Sequence, residues 1–196
     1  MKSIAKILLD IDAIKIDPNF GFTWASGIKS PIYCDNRKLI SYPNYRDLVA
    51  DSFVEIIKKQ FPQTQIIAGT ATAGIPHAAW IAQKLNLPMI YVRSKPKAHG
   101  KSQQIEGVFE KNKNIILIED LISTGKSSIE AFHSLKNAEL NVLNILSIMT
   151  YKTELAEKNF KSINLDPISL ITVHDILDDL KNDKKESILS FLKKLG

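Results

Sequence analysis

The segment Ile115-Ile116-Leu117-Ile118-Glu119-Asp120-Leu121-Ile122-Ser123-Thr124-Gly125-Lys126-Ser127 decides which fold this chain is expected to adopt. Its first four residues are large and aliphatic, which is typical of a strand buried on both faces of a parallel sheet. Two adjacent carboxylates follow at the carboxyl end of that strand, where open α/β sheets bind their ligands. The Ser/Thr/Gly/Lys turn then leads into a helical pattern, so its hydroxyls and free N–H groups would form a phosphate site.

Three interpretations of this segment compete. A nucleotide-triphosphate P-loop would need a glycine where the chain has Asp120, and a carboxylate there would repel phosphates, so we exclude it. A second interpretation is a buried strand before an ordinary capped helix, with Glu119 and Asp120 as solvated charges. In the third, the carboxylates bind neighbouring sugar hydroxyls while the turn holds a phosphate of the same sugar, which suits a ribose 5-phosphate.

Length and composition predict one α/β domain covering residues 1–196, because the chain is too short for two comfortable domains. The single cysteine, Cys34, rules out an intramolecular disulfide. The apolar run near Leu8 is interrupted by Asp10 and Asp12, so we expect neither a signal peptide nor a membrane span, and a cytoplasmic protein. A net charge of +5 is small. The basic residues do not form a patch interleaved with aromatic residues, so we do not expect nucleic-acid binding.

A second strand and turn precede the first by about fifty residues. Residues 65–69 read as a short buried strand, and 70–76 as a turn of small residues that opens a helix. Such residues let the backbone approach a ligand, and their N–H groups suit a diphosphate. The turn is a weak signal alone, because many α/β crossovers have one, but it gains weight from the second site.

The loop after the strand at residues 88–93 is rich in cations. It carries Arg93, Lys95, Lys97, His99 and Lys101 among polar, Pro and Gly residues. Its composition fits a solvated loop, and it equally fits a cationic lid that closes over a polyanion and excludes water.

The N-terminal part contains an expected helix and an irregular segment. Ile4, Ile7, Leu8, Ile11 and Ile14 have helical spacing and predict a helix over residues 2–16. Residues 20–37 are rich in aromatic, Gly and basic residues, and two short strands with a turn at Ser26-Gly27 are compatible with them. This segment is either a flap on the core or a binding hood over a planar anion.

Together these features resemble the type I phosphoribosyltransferases, whose motif for phosphoribosyl diphosphate (PRPP) is similar to Glu119–Ser127. Residues 22–31, the turn at 69–76 and the loop from Arg93 to Gly107 occur in the order and spacing of orotate phosphoribosyltransferases. The resemblance covers nearly the whole chain. It implies an α/β fold with a mostly parallel central sheet flanked by helices, a small hood at about 1–40, and a core at about 41–196.

The resemblance also implies residue roles. Lys97 and Asp120 would be catalytic, and Ser123 would contact orotate. PRPP would be bound by Arg93, Lys97, His99, Glu119, Asp120, Leu121, Ile122, Ser123, Thr124, Gly125, Lys126 and Ser127. Mg²⁺ would be bound mainly through PRPP, without a direct protein ligand.

The implied reaction is displacement of diphosphate from PRPP by orotate, giving orotidine 5′-phosphate in pyrimidine biosynthesis. The family forms homodimers with shared active sites, in which the mobile loop acts in trans. Other branches have lysines at Ala25 and Ser94, a Tyr-Lys pair where this chain has Ala71-Thr72, and an arginine near Tyr151. Two alternatives stay open: transfer to another nucleobase, and a regulator that senses PRPP.

Overall fold

The computed structural model describes residues 3–24, 27–94, 104–178 and 180–195. Two small antiparallel sheets form the N-terminal part, one pairing β1 with β4 and the other pairing β2 with β3. The bounds of these strands are β1 (Ile14–Ile16), β2 (Phe22–Thr23), β3 (Lys29–Ser30) and β4 (Ile32–Cys34). The pairing of β2 with β3 confirms the two short strands predicted on either side of residues 26–27.

The main sheet has six strands in the order β10-β9-β8-β5-β6-β7, and every neighbouring pair is parallel except β6 with β7. The strand bounds are β5 (Ile66–Thr70), β6 (Met89–Val92), β7 (Ile105–Glu106), β8 (Asn114–Ile122), β9 (Asn141–Thr150) and β10 (Ile168–Thr172). The predicted mostly parallel sheet is confirmed.

Helices cover both faces of this sheet. Their bounds are α1 (Ile4–Asp10), α2 (Pro43–Gln60), α3 (Gly74–Leu85), α4 (Lys126–Asn137), α5 (Glu154–Ser162), α6 (His174–Leu177) and α7 (Asn182–Lys194), with a 3₁₀ helix at Asn36–Ser41. Among the described residues, no helix combines the length and apolar composition needed to cross a bilayer.

Strand β8 is buried on both faces, as its aliphatic run predicts. Ile116 and Ile118 point into a core shared with α1, α2, α3 and α7. Ile115 and Leu117 point the other way, into a core shared with α4 and α5. Successive side chains of a strand alternate between its faces, so four consecutive aliphatic residues supply both cores at once.

The predicted helix over residues 2–16 is wrong beyond its first turns. Helix α1 ends at Asp10, Asp12 adopts a left-handed conformation with φ 55°, and Ile14 instead begins β1 and pairs with Cys34. Ile11 and Ile14 have the spacing of a helix, which led to the prediction. Both side chains are also buried in the structure, although Ile14 lies in β1 and not in a helix.

Candidate active site

The two turns predicted to bind phosphates lie side by side. Strands β5 and β8 are adjacent and parallel, with Gly69 opposite Ile118, so their carboxyl ends share one edge of the sheet. Strand β6 ends at the same edge, where the Ala71 N–H donates to the Val92 carbonyl at 2.8 Å. We call residues 70–74 the first turn and residues 123–127 the second turn.

A cleft of about 290 Å³ opens at this edge. The N-terminal segment, both turns, the end of β8 and the residue after β9 contribute to it. Its lining residues are Trp24, Tyr33, Cys34, Thr70, Ala71, Thr72, Ala73, Glu119, Asp120, Leu121, Ser123, Ser127 and Tyr151.

Glu119 is held inward at the floor of the cleft and is only 4% exposed. Its carboxylate accepts hydrogen bonds from the hydroxyls of Ser127 at 3.2 Å and Ser128 at 3.1 Å, and from the Asp120 N–H at 3.1 Å. Burial, followed by the neighbouring Asp120 charge, raises the pKa of Glu119 well above its ordinary value. The start of α4 thus fixes the orientation of this carboxylate.

Asp120 is half-buried and closes one side of the cleft. Burial raises its pKa, while the positive charge of Arg37 acts in the opposite direction. Its carbonyl accepts a hydrogen bond from the side-chain amide of Asn36 at 2.8 Å, and Asn36 is completely buried. The Cys34 thiol donates in turn to the Asn36 Oδ1 at 3.2 Å.

The first turn brings backbone close to β8. A Cβ on Gly74 would lie 2.5 Å from the Ile118 carbonyl oxygen, so the chain needs glycine there. The peptide between Ala71 and Thr72 is cis. Within the described residues, the buried hydroxyl of Thr70 has no hydrogen-bond partner, and Thr70 lines the cleft. A buried unpaired hydroxyl at a cleft is suited to a polar ligand.

The second turn has backbone N–H groups that are not used within the described part of the protein. Gly125 has φ 78° and precedes α4. In the ranges described, the N–H groups of residues 124–127 donate to no acceptor of the protein. Ser123 and Ser127 line the cleft. These free N–H groups at a helix start match the predicted phosphate site.

Trp24, Tyr33 and Tyr151 form an aromatic wall of the cleft. Trp24 stacks on Tyr151 with ring centroids 4.3 Å apart, and its indole N–H donates to the Ile32 carbonyl at 2.9 Å. Phe191 of α7 packs edge-on against Trp24 at 5.3 Å. Burial raises the pKa of the Cys34 thiol, which keeps that group neutral. A planar ring fits beside such a wall.

The predicted site residues do not all lie in the cleft. Glu119, Asp120, Leu121, Ser123 and Ser127 line the cleft. Thr124 and Gly125 belong to the second turn, the exposed Lys126 lies 3.9 Å from Glu130, and the Ile122 side chain is in the core. Arg93 pairs with Glu106 at 3.2 Å at the end of β6. Lys97 and His99 lie outside the described residues.

Sequence reasoning missed three residues of the cleft and its support. Tyr33 and Tyr151 line the cleft, and Asn36 fixes the Asp120 carbonyl. The alternating β4 pattern marks Ile32 and Cys34 as inward residues but gives no sign of what they contact. An asparagine flanked by charged residues also gave no signal.

The charged residues that line the cleft, among those described, are two acids. Lys152 lines a different pocket, together with Lys161 and Phe160. Arg37 lies nearer, with Nη2 3.4 Å from the Tyr33 hydroxyl, and it is also bound to Asp35 at 2.6 Å. Binding of anions in this cleft therefore depends largely on N–H groups and on cations around the opening.

The acidic pair is compatible with a hydrated magnesium ion. Glu119 and Asp120 supply carboxylate oxygens, which Mg²⁺ prefers. Within the described ranges, no cluster of three or more His, Cys, Asp or Glu side chains is placed to hold a metal ion. A cation here would therefore take further oxygen ligands from water and from a bound phosphate.

Comparison with known proteins shows the family to which this chain belongs. A family model described as phosphoribosyl transferase domain matches residues 39–178. The orotate phosphoribosyltransferase of Staphylococcus epidermidis is 50% identical over 187 residues, covering 95% of this chain and 92% of that protein.

Two solved structures are similar over nearly the whole chain. Leishmania donovani UMP synthase gives a TM-score of 0.82 at 28% identity, covering 97% of this chain, which spans 42% of that protein. Orotate phosphoribosyltransferase from Aeropyrum pernix gives a TM-score of 0.79 at 27% identity, covering 90% of this chain and 97% of that one. The predicted type I phosphoribosyltransferase fold is confirmed. On the family match and the 50% identity, the chain belongs to the phosphoribosyl transferase domain family and, within it, to the orotate phosphoribosyltransferases.

Proposed function

We propose that the chain transfers the 5-phosphoribosyl group from PRPP to orotate, giving orotidine 5′-phosphate and diphosphate in de novo UMP biosynthesis. The observation that carries this proposal is the cleft itself. An acidic pair, two turns suited to phosphates and an aromatic wall line the same cleft.

The ribose 5-phosphate end of PRPP fits the end of β8. The 5′-phosphate would accept hydrogen bonds from the free N–H groups of residues 124–127, while the Ser127 hydroxyl continues to donate to Glu119. Asp120 would accept hydrogen bonds from the ribose hydroxyls. Glu119 would take part through the edge of its carboxylate that lines the cleft, because its other contacts hold it to Ser127 and Ser128.

The diphosphate end fits the first turn. The unpaired Thr70 hydroxyl and the backbone around Thr72 would contact it. Arg93, Lys97 and His99 would supply the positive charge that the described lining residues lack. Because Arg93 is held to Glu106 at the base of the loop, PRPP would have to compete with that pair.

Orotate fits between the aromatic wall and the acidic pair. Its ring would lie near Tyr33, Tyr151 and Trp24, and Ser123 would contact one of its polar groups. The wall supplies a flat apolar surface, which favours a planar pyrimidine.

The transfer breaks the bond between C1 of the ribose and the diphosphate oxygen, and the electron pair leaves with diphosphate. A ring nitrogen of orotate forms the new bond to C1 and releases its proton to solvent water, so that no protein base is consumed. Asp120 stabilises the positive charge that develops on the ribose ring, and the lid cations stabilise the departing diphosphate. When bound with PRPP, Mg²⁺ neutralises charge on the diphosphate, and Asp120 would hold it through water.

The assembly and setting follow from the family resemblance. We propose a cytoplasmic homodimer of single-domain chains, in which Arg93, Lys97 and His99 of each subunit serve the cleft of the other. In support, Arg93 is not one of the described residues that line the cleft of its own chain.

A spectrophotometric assay with PRPP and Mg²⁺ tests the proposed function. Orotate is expected to be consumed in step with diphosphate release, whereas uracil and adenine are not. Turnover of another base without turnover of orotate would overturn the assignment.

A further inference from the structure

Two carbonyl groups of the second turn, those of Ser123 and Thr124, accept hydrogen bonds from side chains outside the turn. The Thr153 hydroxyl donates to the Ser123 carbonyl at 2.9 Å, and the Asn159 side-chain amide donates to the Thr124 carbonyl at 2.9 Å. Both donors come from outside the turn: Thr153 is the N-cap of α5, and Asn159 lies in that helix.

A third contact fixes the next residue of the turn. A Cβ on Gly125 would lie 2.7 Å from the Phe160 ring, so the ring packs directly against the backbone of this glycine. Phe160 is buried in the core between α4, α5 and the sheet. Three consecutive residues of the turn therefore each contact one residue of α5 or its cap.

The direction of these bonds matters for a phosphate. A peptide unit can turn either its carbonyl or its N–H towards the cleft, and a carbonyl there would repel an anion. The carbonyls of Ser123 and Thr124 share their peptide units with the N–H groups of Thr124 and Gly125. With these carbonyls engaged by α5 and its cap, those two N–H groups stay free of protein acceptors in the described part of the chain. The turn is thereby preorganised for an anion before any ligand arrives.

We propose that Thr153 and Asn159 are positioning residues that set the affinity of the second turn for the 5′-phosphate of the substrate. Neither side chain touches the ligand. They act by holding the peptide units of Ser123 and Thr124 in the orientation that presents N–H groups to the phosphate. This inference rests on the proposed function for the identity of the ligand, but its geometry does not depend on the base that is transferred.

The inference predicts different effects on the binding of the two ends of PRPP. The diphosphate end binds at the first turn, which has no contact with these two side chains among the hydrogen bonds described. Loss of the Asn159 bond is therefore expected to weaken ribose 5-phosphate and to spare diphosphate. A net hydrogen bond contributes about 0.5–1.5 kcal/mol, which corresponds to roughly a twofold to tenfold change in a dissociation constant.

Isothermal titration calorimetry of the intact protein with ribose 5-phosphate, and separately with magnesium diphosphate, tests this. In Asn159→Ala the dissociation constant for ribose 5-phosphate is expected to rise by about twofold to tenfold. That for diphosphate is expected to change less than about twofold. In steady-state assays the KM for PRPP rises while the KM for orotate stays near the wild-type value.

Asn144→Ala is the matched control, because the Asn144 amide also donates to a backbone carbonyl, that of Asp166 at 3.2 Å, away from the cleft. It should leave the binding of both ligands unchanged. A second pair of variants tests the cap: Thr153→Val should weaken ribose 5-phosphate, whereas Thr153→Ser, which keeps the hydroxyl, should restore binding.

Two results would overturn the proposal: unchanged ribose 5-phosphate binding in Asn159→Ala, or equal weakening of both ligands. Failure of the proposed function would look different. The wild-type protein would then not consume orotate, while the difference between ribose 5-phosphate and diphosphate binding would persist.

Discussion

The side-chain amide of Asn36 donates a hydrogen bond to the backbone carbonyl of Asp120, 84 positions later in the sequence, at 2.8 Å. This bond joins the N-terminal segment to the end of the central strand at the point where the acidic pair faces the cleft. Because Asn36 is fully buried, this hydrogen bond is shielded from bulk water on the Asn36 side.

Asn36→Ala is therefore expected to lower the free energy of unfolding by about 1–3 kcal/mol, since it leaves a buried carbonyl unsatisfied. It should also reduce kcat, because Asp120 loses its support. Urea denaturation and steady-state kinetics measure the two effects. Asn44→Ala, at an exposed position of α2, is the control and should change neither quantity.

Gly125→Ala tests how closely Phe160 packs against the second turn. Alanine at φ 78° adds backbone strain of about 1–2 kcal/mol, and its Cβ would also meet the Phe160 ring at 2.7 Å. Gly27→Ala offers the same strain at φ 85° without a described atom within 4 Å. Urea denaturation should show a larger loss for Gly125→Ala, by about 1–3 kcal/mol. Equal losses would contradict the packing argument.

Glu119→Gln should stabilise the ligand-free protein above neutral pH. The pKa of Glu119 is raised by burial, so the native state binds more protons than the unfolded state as pH increases from about 4.5. Wild-type stability therefore falls with rising pH through this carboxyl, and glutamine removes that loss.

The difference in the free energy of unfolding between this variant and the wild type should grow as pH rises above about 4.5 and should be smallest well below that pH, where the carboxyl is protonated in both states. Denaturation at several pH values measures it. Glu55→Gln, the same substitution on an exposed part of α2, is the matched control. A variant less stable than the wild type at pH 8 would contradict the argument.

Lys97→Ala and Asp120→Asn are each expected to lower turnover by orders of magnitude, because loss of one preorganised charge typically costs about 2.7–4 kcal/mol of barrier. If the clefts are shared between subunits, mixing the two inactive variants should restore part of the activity. One cleft of the mixed dimer then receives an intact loop and an intact carboxylate.

Size-exclusion chromatography with differently tagged chains verifies that mixed dimers have formed. Persistent inactivity in those dimers would argue against action in trans. Near-normal turnover of Lys97→Ala alone would contradict the role of the loop.

Sequence periodicity and composition predicted those features that depend on neighbouring residues. The aliphatic run at 115–118, the acidic pair and the turn of small residues place the central strand and both turns, because burial on two faces and helix starts leave marks in adjacent residues. The same reasoning extended α1 too far, since residues 11 and 14 fit a helical period but lie on either side of a break at Asp12.

The support of the site was not predictable in the same way. Trp24 stacks on Tyr151, Asn36 bonds to Asp120, and Asn159 bonds to Thr124. Each contact joins segments that are distant in sequence. Nothing in the sequence around one residue of a pair indicates its partner. Such contacts result from tertiary packing, which periodicity does not encode.

The packing of Phe191 against Trp24 gives the cleft an order of assembly during synthesis. Trp24 precedes both turns in the sequence and α7 follows them, and the Ser187 hydroxyl adds a second link by donating to the Pro18 carbonyl. A nascent chain that ends before α7 already contains both turns and the acidic pair, but its aromatic wall lacks this backing. The aromatic wall of the cleft is therefore backed only once α7 has been made.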